Sequence, residues 1–480
     1  MSDSAQWTIR RPIPSPDVDA MPLRALHLRP GASYLVGPNA RTDAVLARYL
    51  SSARFYRYKE ETRKSYLSDL RLLLNWLSLN GVNWLDCSSE DLEDYKYHRT
   101  GDPESERLVG VSKWTRELAA IDDLFAWAVR ENFVAQTPVE RRRTTSGDPR
   151  RPNLGTDSAD ARDVKWVTPR MWDRWRTIGL EGVGTDGLQD ATFRGRSADR
   201  NAAYAELLFD SGLRRTEAGT LMTIEIPDGP ISPGLFKGQV ARATAKWSSG
   251  RAFYFTPATK ARIESYKQTS RAQAVQRAQA EGRYEADSRR LDVIHIADTS
   301  SPTITWRSAA TGKEQTAAVK EIGPAIRSRL YRDTPEGPEP LAVWLSESGT
   351  PFQSHSWEWV FTQGNARVAS LLPGKPPRIH IHMARHSFAL YMLVALLHAE
   401  DSRFAMTSDE RANIASLYPS PWNTVRDLLG HRSSETTRNV YLTPVRDVRL
   451  DALLSGGNAR FTQLVDVLAT RSPLVMDIDA

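Results

Sequence analysis

The sequence predicts a mainly α chain with a small antiparallel β-sheet (α+β), built as an all-α N-terminal domain followed by a larger second domain. Three observations carry this. Apolar residues recur at three- and four-residue steps between about Asp43 and Thr137, the period of helices that bury one face. Residues 139–165 are polar, charged and rich in Gly and Pro, the composition of a linker. Beyond them, β-favouring residues on either side of Ser248-Ser249-Gly250 read as a hairpin among further helical stretches. A chain of 480 residues suits such a division, since domains run to roughly 150 residues each.

Composition narrows the classes. A hydrophobic share of 40% with 25% charged residues describes a folded globular chain rather than a disordered one. No apolar run approaches the ~20 residues of a membrane span, so no membrane partner is expected. The polar, proline-bearing start, Met1 to Asp19, lacks the apolar centre of an export signal. With Cys87 as the single cysteine there is no intramolecular disulfide or thiolate metal cluster, and a cytoplasmic setting is expected. The net charge of +6 (64 basic minus 58 acidic) is compatible with a nucleic-acid partner without establishing one. Basic clusters at Arg54–Lys64, Arg141-Arg142-Arg143 and Arg150-Arg151 fit such a partner, but taken alone they read first as a solvated face or a flexible joint.

In chain order, residues 1–38 show little periodicity and read as an N-terminal extension or arm. Tyr66, Leu70, Leu73, Leu74 and Leu77 share one face of a helix, which Gly81 stops. Ser88-Ser89-Glu90-Asp91 is a polar start with acids in the first turn, ahead of Leu92 and Tyr95. From Ser112 to Glu131, Trp114, Leu118, Ile121, Leu124, Phe125 and Ala128 form one stripe, closed by Thr137-Pro138. Four or five helices result. The second domain begins near Trp166. Asn201–Ser211 is a helix capped by Gly212, and Val240–Ala245 with Arg251–Phe255 form the hairpin. Thr256-Pro257 are N-cap and first residue of a long polar helix reaching about Gly282. Residues 283–340, rich in Pro, Gly, Ser and Thr, read as irregular.

Four segments carry chemistry. In Gly212-Leu213-Arg214-Arg215-Thr216-Glu217 an arginine follows a glycine-capped turn, with a glutamate three residues on; alone this is an ordinary local ion pair. In His380-Ile381-His382-Met383-Ala384-Arg385-His386, His382 and Arg385 are three apart and share a helix face. Two such donors suit an oxyanion. His382 and His386 are four apart, but the first is not followed by the Glu of hydrolytic zinc helices and no third ligand is near, so no metal is expected. Leu428-Leu429-Gly430-His431 is followed, ten positions after the histidine, by Tyr441. Lys246 sits at the tip of the hairpin, where lysines are ordinarily solvated.

In that order, Gly-Leu-Arg-x-x-Glu, a hairpin lysine, His-x-x-Arg-His-Ser-Phe-Ala and Leu-Gly-His…Tyr resemble the tyrosine recombinase (phage integrase) family. The resemblance covers roughly residues 40–455 and is most specific in the later part. It implies a helical core-binding (SAM-like) DNA-binding domain at 39–138, a linker at 139–165, a tyrosine recombinase catalytic domain at 166–455, and a C-terminal helix or tail at 456–480. Residues 283–340 and 399–421 exceed what a minimal catalytic domain of that family needs. For individual residues it implies that Arg214 and Arg385 bind the nonbridging oxygens of the scissile phosphate. His382 and His431 add hydrogen bonds and assist proton transfer. Lys246 resembles the general acid for the leaving 5′ oxygen, with Lys237 as the fallback because the hairpin lacks the usual Gly-Lys-Gly character. Tyr441 resembles the nucleophile that forms a 3′-phosphotyrosine, and Glu217 the acid that supports the first arginine. The spacing from His431 to Tyr441 is one residue longer than is common in the family.

The implied chemistry is coherent with these residue types. A phosphodiester gains charge as a pentacoordinate state forms, and the planar fork of arginine matches two of its oxygens while staying charged at any working pH. Tyrosine, with a pKa near ~10, needs a positive environment or a base to attack. No cofactor is implied, since the covalent link conserves the bond energy. The partners implied are double-stranded DNA at specific recombination sites and a homo-tetramer in the synaptic complex. Two alternatives stay open: a type IB topoisomerase-like relaxing enzyme, and a catalytically silent DNA-binding accessory protein of the same fold.

Overall fold

The computed structural model describes residues 6–11, 32–38, 41–103, 105, 108–142, 151–152, 165–246, 249–297, 299–372, 374, 376–403, 420–430 and 475–476. It divides into two compact units, residues 1–161 and 162–480. The architecture is mainly α with small sheets.

The first unit is a helical body. Asp43 caps α1 (Ala44–Ser51) by accepting from the Leu46 amide at 2.8 Å, and the short α2 (Ala53–Tyr56) follows. In α3 (Glu60–Leu79) the periodic leucines 67, 70, 73, 74 and 77 are buried, and Gly81 just past its end adopts φ 72°. A reciprocal capping box between Ser88 and Asp91 starts α4 (Ser89–Thr100). In α5 (Val111–Arg130) the whole stripe read from the sequence is buried. The arm expected at 1–38 is corrected in part. Thr8–Arg10 (β1) pairs antiparallel with Tyr34–Val36 (β2), and Trp7 and Leu35 belong to the helical core. Trp7 donates from its indole to Ser78 Oγ at 2.9 Å and from its amide to Asn75 Oδ1 at 2.6 Å. A strand of three residues shows no period, so this packing was not legible. Within the expected linker, Arg141–Arg142 pairs antiparallel with Arg151–Pro152.

Among the described residues of this unit, three acids are buried, each linking separate helices. Asp123 accepts from Tyr49 Oη (2.8 Å), Tyr58 Oη (2.8 Å) and Arg54 Nε (2.7 Å). Glu117 accepts from Arg99 Nη2 at 2.8 Å and pairs with Lys113 at 2.7 Å. Asp69 accepts from Arg116 Nε at 3.0 Å and also pairs with Lys113.

The second unit is built round α7 (Ala198–Ser211), preceded by β3 (Trp166–Val167) and α6 (Pro169–Gly179) and followed by the short α8 (Arg215–Gly219). Its core is aromatic: Trp172, Trp175, Tyr204, Phe253, Phe255, Trp344, Trp357 and Phe361, with the Tyr204 and Trp357 rings stacked at 3.5 Å. The hairpin exists, but its strands are β4 (Phe236–Val240) and β5 (Arg251–Phe255). The expected strand Val240–Ala245 is therefore corrected: past Val240 the chain turns, with the Ala245 amide donating to Ala241 O at 3.1 Å. Gly238 is accommodated within β4 because the ring of its cross-strand partner Phe253 lies 2.3 Å from where a Cβ would stand. Thr256 caps α9 (Pro257–Tyr266), accepting from Thr259 N, and a π-turn at Lys267–Arg271 leads into α10 (Ala272–Ala280).

Residues 283–340 are not irregular. They hold β6 (Leu291–Ala297), β7 (Thr303–Ser308), β8 (Glu314–Ala318), β9 (Leu330–Thr334) and β10 (Gly337–Pro340), in the order β8-β7-β6-β9-β10. The β6/β9 pair is parallel and the others antiparallel, so the sheet is mixed rather than purely antiparallel. A register shift between Val293 and His295 breaks the two-residue alternation by which such a strand is recognised. Helices α11 (Ser356–Leu371), α12 (Ile381–Arg403) and α13 (Pro421–Leu429) complete the described chain, and Val475–Met476 pairs parallel with β3. The expected C-terminal helix at Asn458–Thr470 lies outside the described residues, as does most of 399–421. Among the described residues no helix is long and apolar enough to cross a membrane.

Replacing Asp123 by Ala strips two tyrosines and Arg54 of a shared buried acceptor, and breaking a buried pair costs about 3–5 kcal/mol. Denaturant melts of the Asp123→Ala protein are expected to show that loss, against a change below about 0.5 kcal/mol for an exposed control such as Glu93→Ala.

Candidate active site

Two helices of the second unit end in the same way. After Ser211, Gly212 takes the left-handed conformation (φ 63°) and ends α7. After Leu429, Gly430 does the same (φ 64°) and ends α13. At each end the last carbonyls have no partner inside their helix and carry the negative end of the helix dipole. Arginines occupy both ends. Arg385, buried on the first turns of α12, donates from Nη1 to Gly212 O at 2.5 Å and from Nη2 to Leu429 O. Arg214 donates from Nη2 to Gly430 O at 3.4 Å. The glycine at 212 is required twice, by its φ and because the Phe388 ring of α12 stands 2.3 Å from where a Cβ would be.

Glu217 is the centre. Its carboxylate accepts from the Arg214 amide (2.9 Å) and from Arg214 Nη1 (2.9 Å), which explains why an arginine and a glutamate three apart open α8. It also accepts from Arg251 through both oxygens, Nη1 to Oε1 at 3.0 Å and Nη2 to Oε2 at 2.7 Å. Burial alone would raise the Glu217 pKa. The Arg251 hydrogen bonds and the charges of Arg251, Arg385 and Arg214 outweigh that and bring it down to about 2, from an ordinary 4.5. Among the described residues, Arg214, Arg251 and Arg385 all act on this one carboxylate. The Arg214 side chain remains 19% exposed while that of Glu217 is sealed.

His382 begins α12 one turn before Arg385 and presents its ring at the solvent rim. Its pKa is lowered from 6.5, first by loss of hydration and then by the charges of Arg385, Arg215 and Arg214. Both effects disfavour the charged imidazolium. Arg215 is itself paired with Glu358 of α11.

The structure thus brings together Arg214, Glu217, His382 and Arg385. Lys246 is exposed in the connection between β4 and β5, and Lys237 is exposed on β4 opposite Tyr254. His431 and Tyr441 lie outside the described residues. One residue of the cluster, Arg251, was missed by sequence reading. Its signal was available: Arg251, Phe253 and Phe255 occupy the inward phase of β5, and a charge on an apolar phase marks a buried partner. Among the described residues no group of acids, histidines and cysteines could hold a metal ion.

Residues 46–132 match the model of the phage integrase N-terminal SAM-like domain. Those residues of the first unit, from α1 to just past α5, are similar to that domain. No curated protein sequence matches. Matching solved structures include XerA recombinase, 12% identical over 83% of this chain and 92% of that one, with a TM-score of 0.28. XerH site-specific recombinase in a post-cleavage complex with a palindromic difH substrate is 14% identical over 87% and 83%, at 0.42. The Tn1549 transposon integrase in complex with transposon right end DNA is 13% identical over 83% and 94%, at 0.45.

Two titrations follow. The His382 ring resonances are expected to titrate with a midpoint below 6.5 in NMR of the folded protein, moving up when Arg385 is replaced by Gln. For Glu217, the depressed pKa gives stability that is present above the unfolded value near 4.5 and lost as pH falls toward about 2. Glu217→Gln is expected to remove about 3–5 kcal/mol at pH 7, the cost of leaving Arg251 buried without its partner, as read by denaturant melts.

Proposed function

We propose that this chain is a site-specific DNA recombinase that cleaves and rejoins DNA through a 3′-phosphotyrosine intermediate, as in DNA integration, excision or transposition. The observation that carries the reading is the cluster of Arg214, Arg385 and His382, held by Glu217 and two helix ends. Such a set is matched to a phosphodiester whose nonbridging oxygens gain charge in the transition state, and donors positioned in advance of that charge supply much of the acceleration. A SAM-like domain of phage integrase type in the first unit supports the same reading.

In this proposal Tyr441 attacks phosphorus. A new bond forms from its phenolic oxygen, which gives its proton to a histidine of the site, the bond to the 5′ oxygen breaks, and that oxygen takes a proton from Lys246. Arg214 and Arg385 hold the nonbridging oxygens, while His382 and His431 donate hydrogen bonds and pass protons. A 5′-hydroxyl of another strand then attacks the phosphotyrosine and releases the tyrosine, so the phosphodiester energy is retained and no nucleotide is consumed. Strand exchange needs two duplexes, which a homo-tetramer on specific double-stranded sites would bring together.

The test uses nicked suicide duplexes with a randomised central sequence and looks for an SDS-resistant protein–DNA adduct. Wild type is expected to form one that maps to the Tyr441 peptide, and Tyr441→Phe to form none; an adduct retained in Tyr441→Phe sinks the assignment. Arg214→Ala and Arg385→Ala are expected to bind DNA yet cleave about 10²–10³-fold more slowly, the range for a lost transition-state donor. Relaxation of supercoiled plasmid without exchanged products would point instead to a topoisomerase.

A further inference from the structure

We propose that Arg251 is a positioning residue of this site, the tie that holds the first arginine segment, the hairpin and the end of α13 in one register. The inference rests on the recombinase reading of the same site. Its geometric basis is a three-way attachment by one buried guanidinium. Both Nη atoms go to Glu217, at 3.0 and 2.7 Å, and Nε goes to Leu428 O at 2.7 Å. Arg251 also lines the α13 terminus, with its Cδ 3.1 Å from where a Cβ on Gly430 would sit. One side chain thereby joins three segments distant in sequence, each next to a residue the chemistry needs. Glu217 orients Arg214. Leu428 to Gly430 lead directly into His431. Arg251 itself closes the connection that carries Lys246, five positions earlier.

Such an arrangement acts by orientation, not by touching substrate. The Arg251 side chain is 7% exposed, and Glu217 stands on two of its donors. Only a planar fork satisfies two carboxylate oxygens and a carbonyl at once; lysine, a single point charge, cannot. The charged groups facing Glu217 are Arg251 from β5, Arg214 from its own segment and Arg385 from α12. On α13, Arg426 and Asp427 pair with each other, at 2.8 Å, and that helix meets the cluster through main-chain carbonyls. When Arg251 goes, the buried carboxylate loses its bidentate partner. Glu217 is then expected to take up a proton at higher pH than in the wild type, and Arg214 loses its orienting anion as pH falls.

The experiment compares wild type, Arg251→Lys, Arg251→Met and the neutral pair Glu217→Gln/Arg251→Met in single-turnover adduct formation from pH 5.5 to 8.5. Circular dichroism and DNA binding are followed alongside. Replacing a buried ion pair by uncharged residues of similar volume is often tolerated, so the double variant keeps the test open if Arg251→Met does not fold. Arg251→Lys is expected to fold and bind DNA but to cleave at least tenfold more slowly at pH 8, with a further decline toward pH 5.5 that the wild type lacks. The double variant is expected to fold, to stay at least tenfold impaired, and to lose that extra acid sensitivity. Folded Arg251→Lys or double variant cleaving within twofold of wild type across the range would overturn the proposal. If wild type forms no adduct at all, the recombinase reading has failed rather than the role of Arg251.

Discussion

Glu217 and Arg251 form an ion pair with almost no access to water, and three segments of the second unit meet at it. A carboxylate in that position is costly to bury, and only the fork of Arg251, joined by Arg214 and Arg385, makes its ionised form the favoured one. The pair in turn sets where three pieces of main chain meet. Glu217 lies in the first turn of α8, Arg251 opens β5, and the Leu428 carbonyl that Arg251 bonds lies in the last turn of α13. Because such a pair stabilises little against an apolar alternative, its value lies in geometry: it admits one relative placement of the surrounding segments.

Helix ends supply the second half of the arrangement. α7 and α13 finish on the left-handed Gly212 and Gly430, and the carbonyls left over are bonded by Arg385 and Arg214. An arginine bound to a helix C-terminus is oriented by backbone, the stiffest partner available, and its charge is favoured by the dipole. The outcome is a set of cations fixed in place, next to a histidine whose pKa is lowered by loss of hydration and then by the same cations. The first unit uses buried acids differently. Asp69, Glu117 and Asp123 cross-tie helices whose apolar stripes already form a continuous core, where they fix helix register.

What could be read from the sequence was local. Helix periods, the Ser88–Asp91 capping box, the Thr256-Pro257 start and the Gly212 stop are encoded within a few residues of where they act. The pairing of Arg214 with Glu217 spans one helical turn and was legible for the same reason. The five-stranded sheet was not. Its strands are short, a register shift interrupts the alternation, and the parallel β6/β9 contact depends on where the chain returns. Trp7, ahead of β1, likewise takes its place only through its contacts with α3.

The sequence by itself therefore determined the helical character of the first unit, the glycine-ended turns and the identities of Arg214, Glu217, His382 and Arg385. Tertiary structure alone decided what those residues share. Arg251 reaches Glu217 across 34 positions, and Arg385 reaches Gly212 across 173. Spacing cannot encode such contacts, because a buried charge takes its partner from whichever segment the fold brings alongside it. The inward phase of β5 announced that Arg251 would need a counter-charge, and only the packed chain named Glu217 as the one that supplies it.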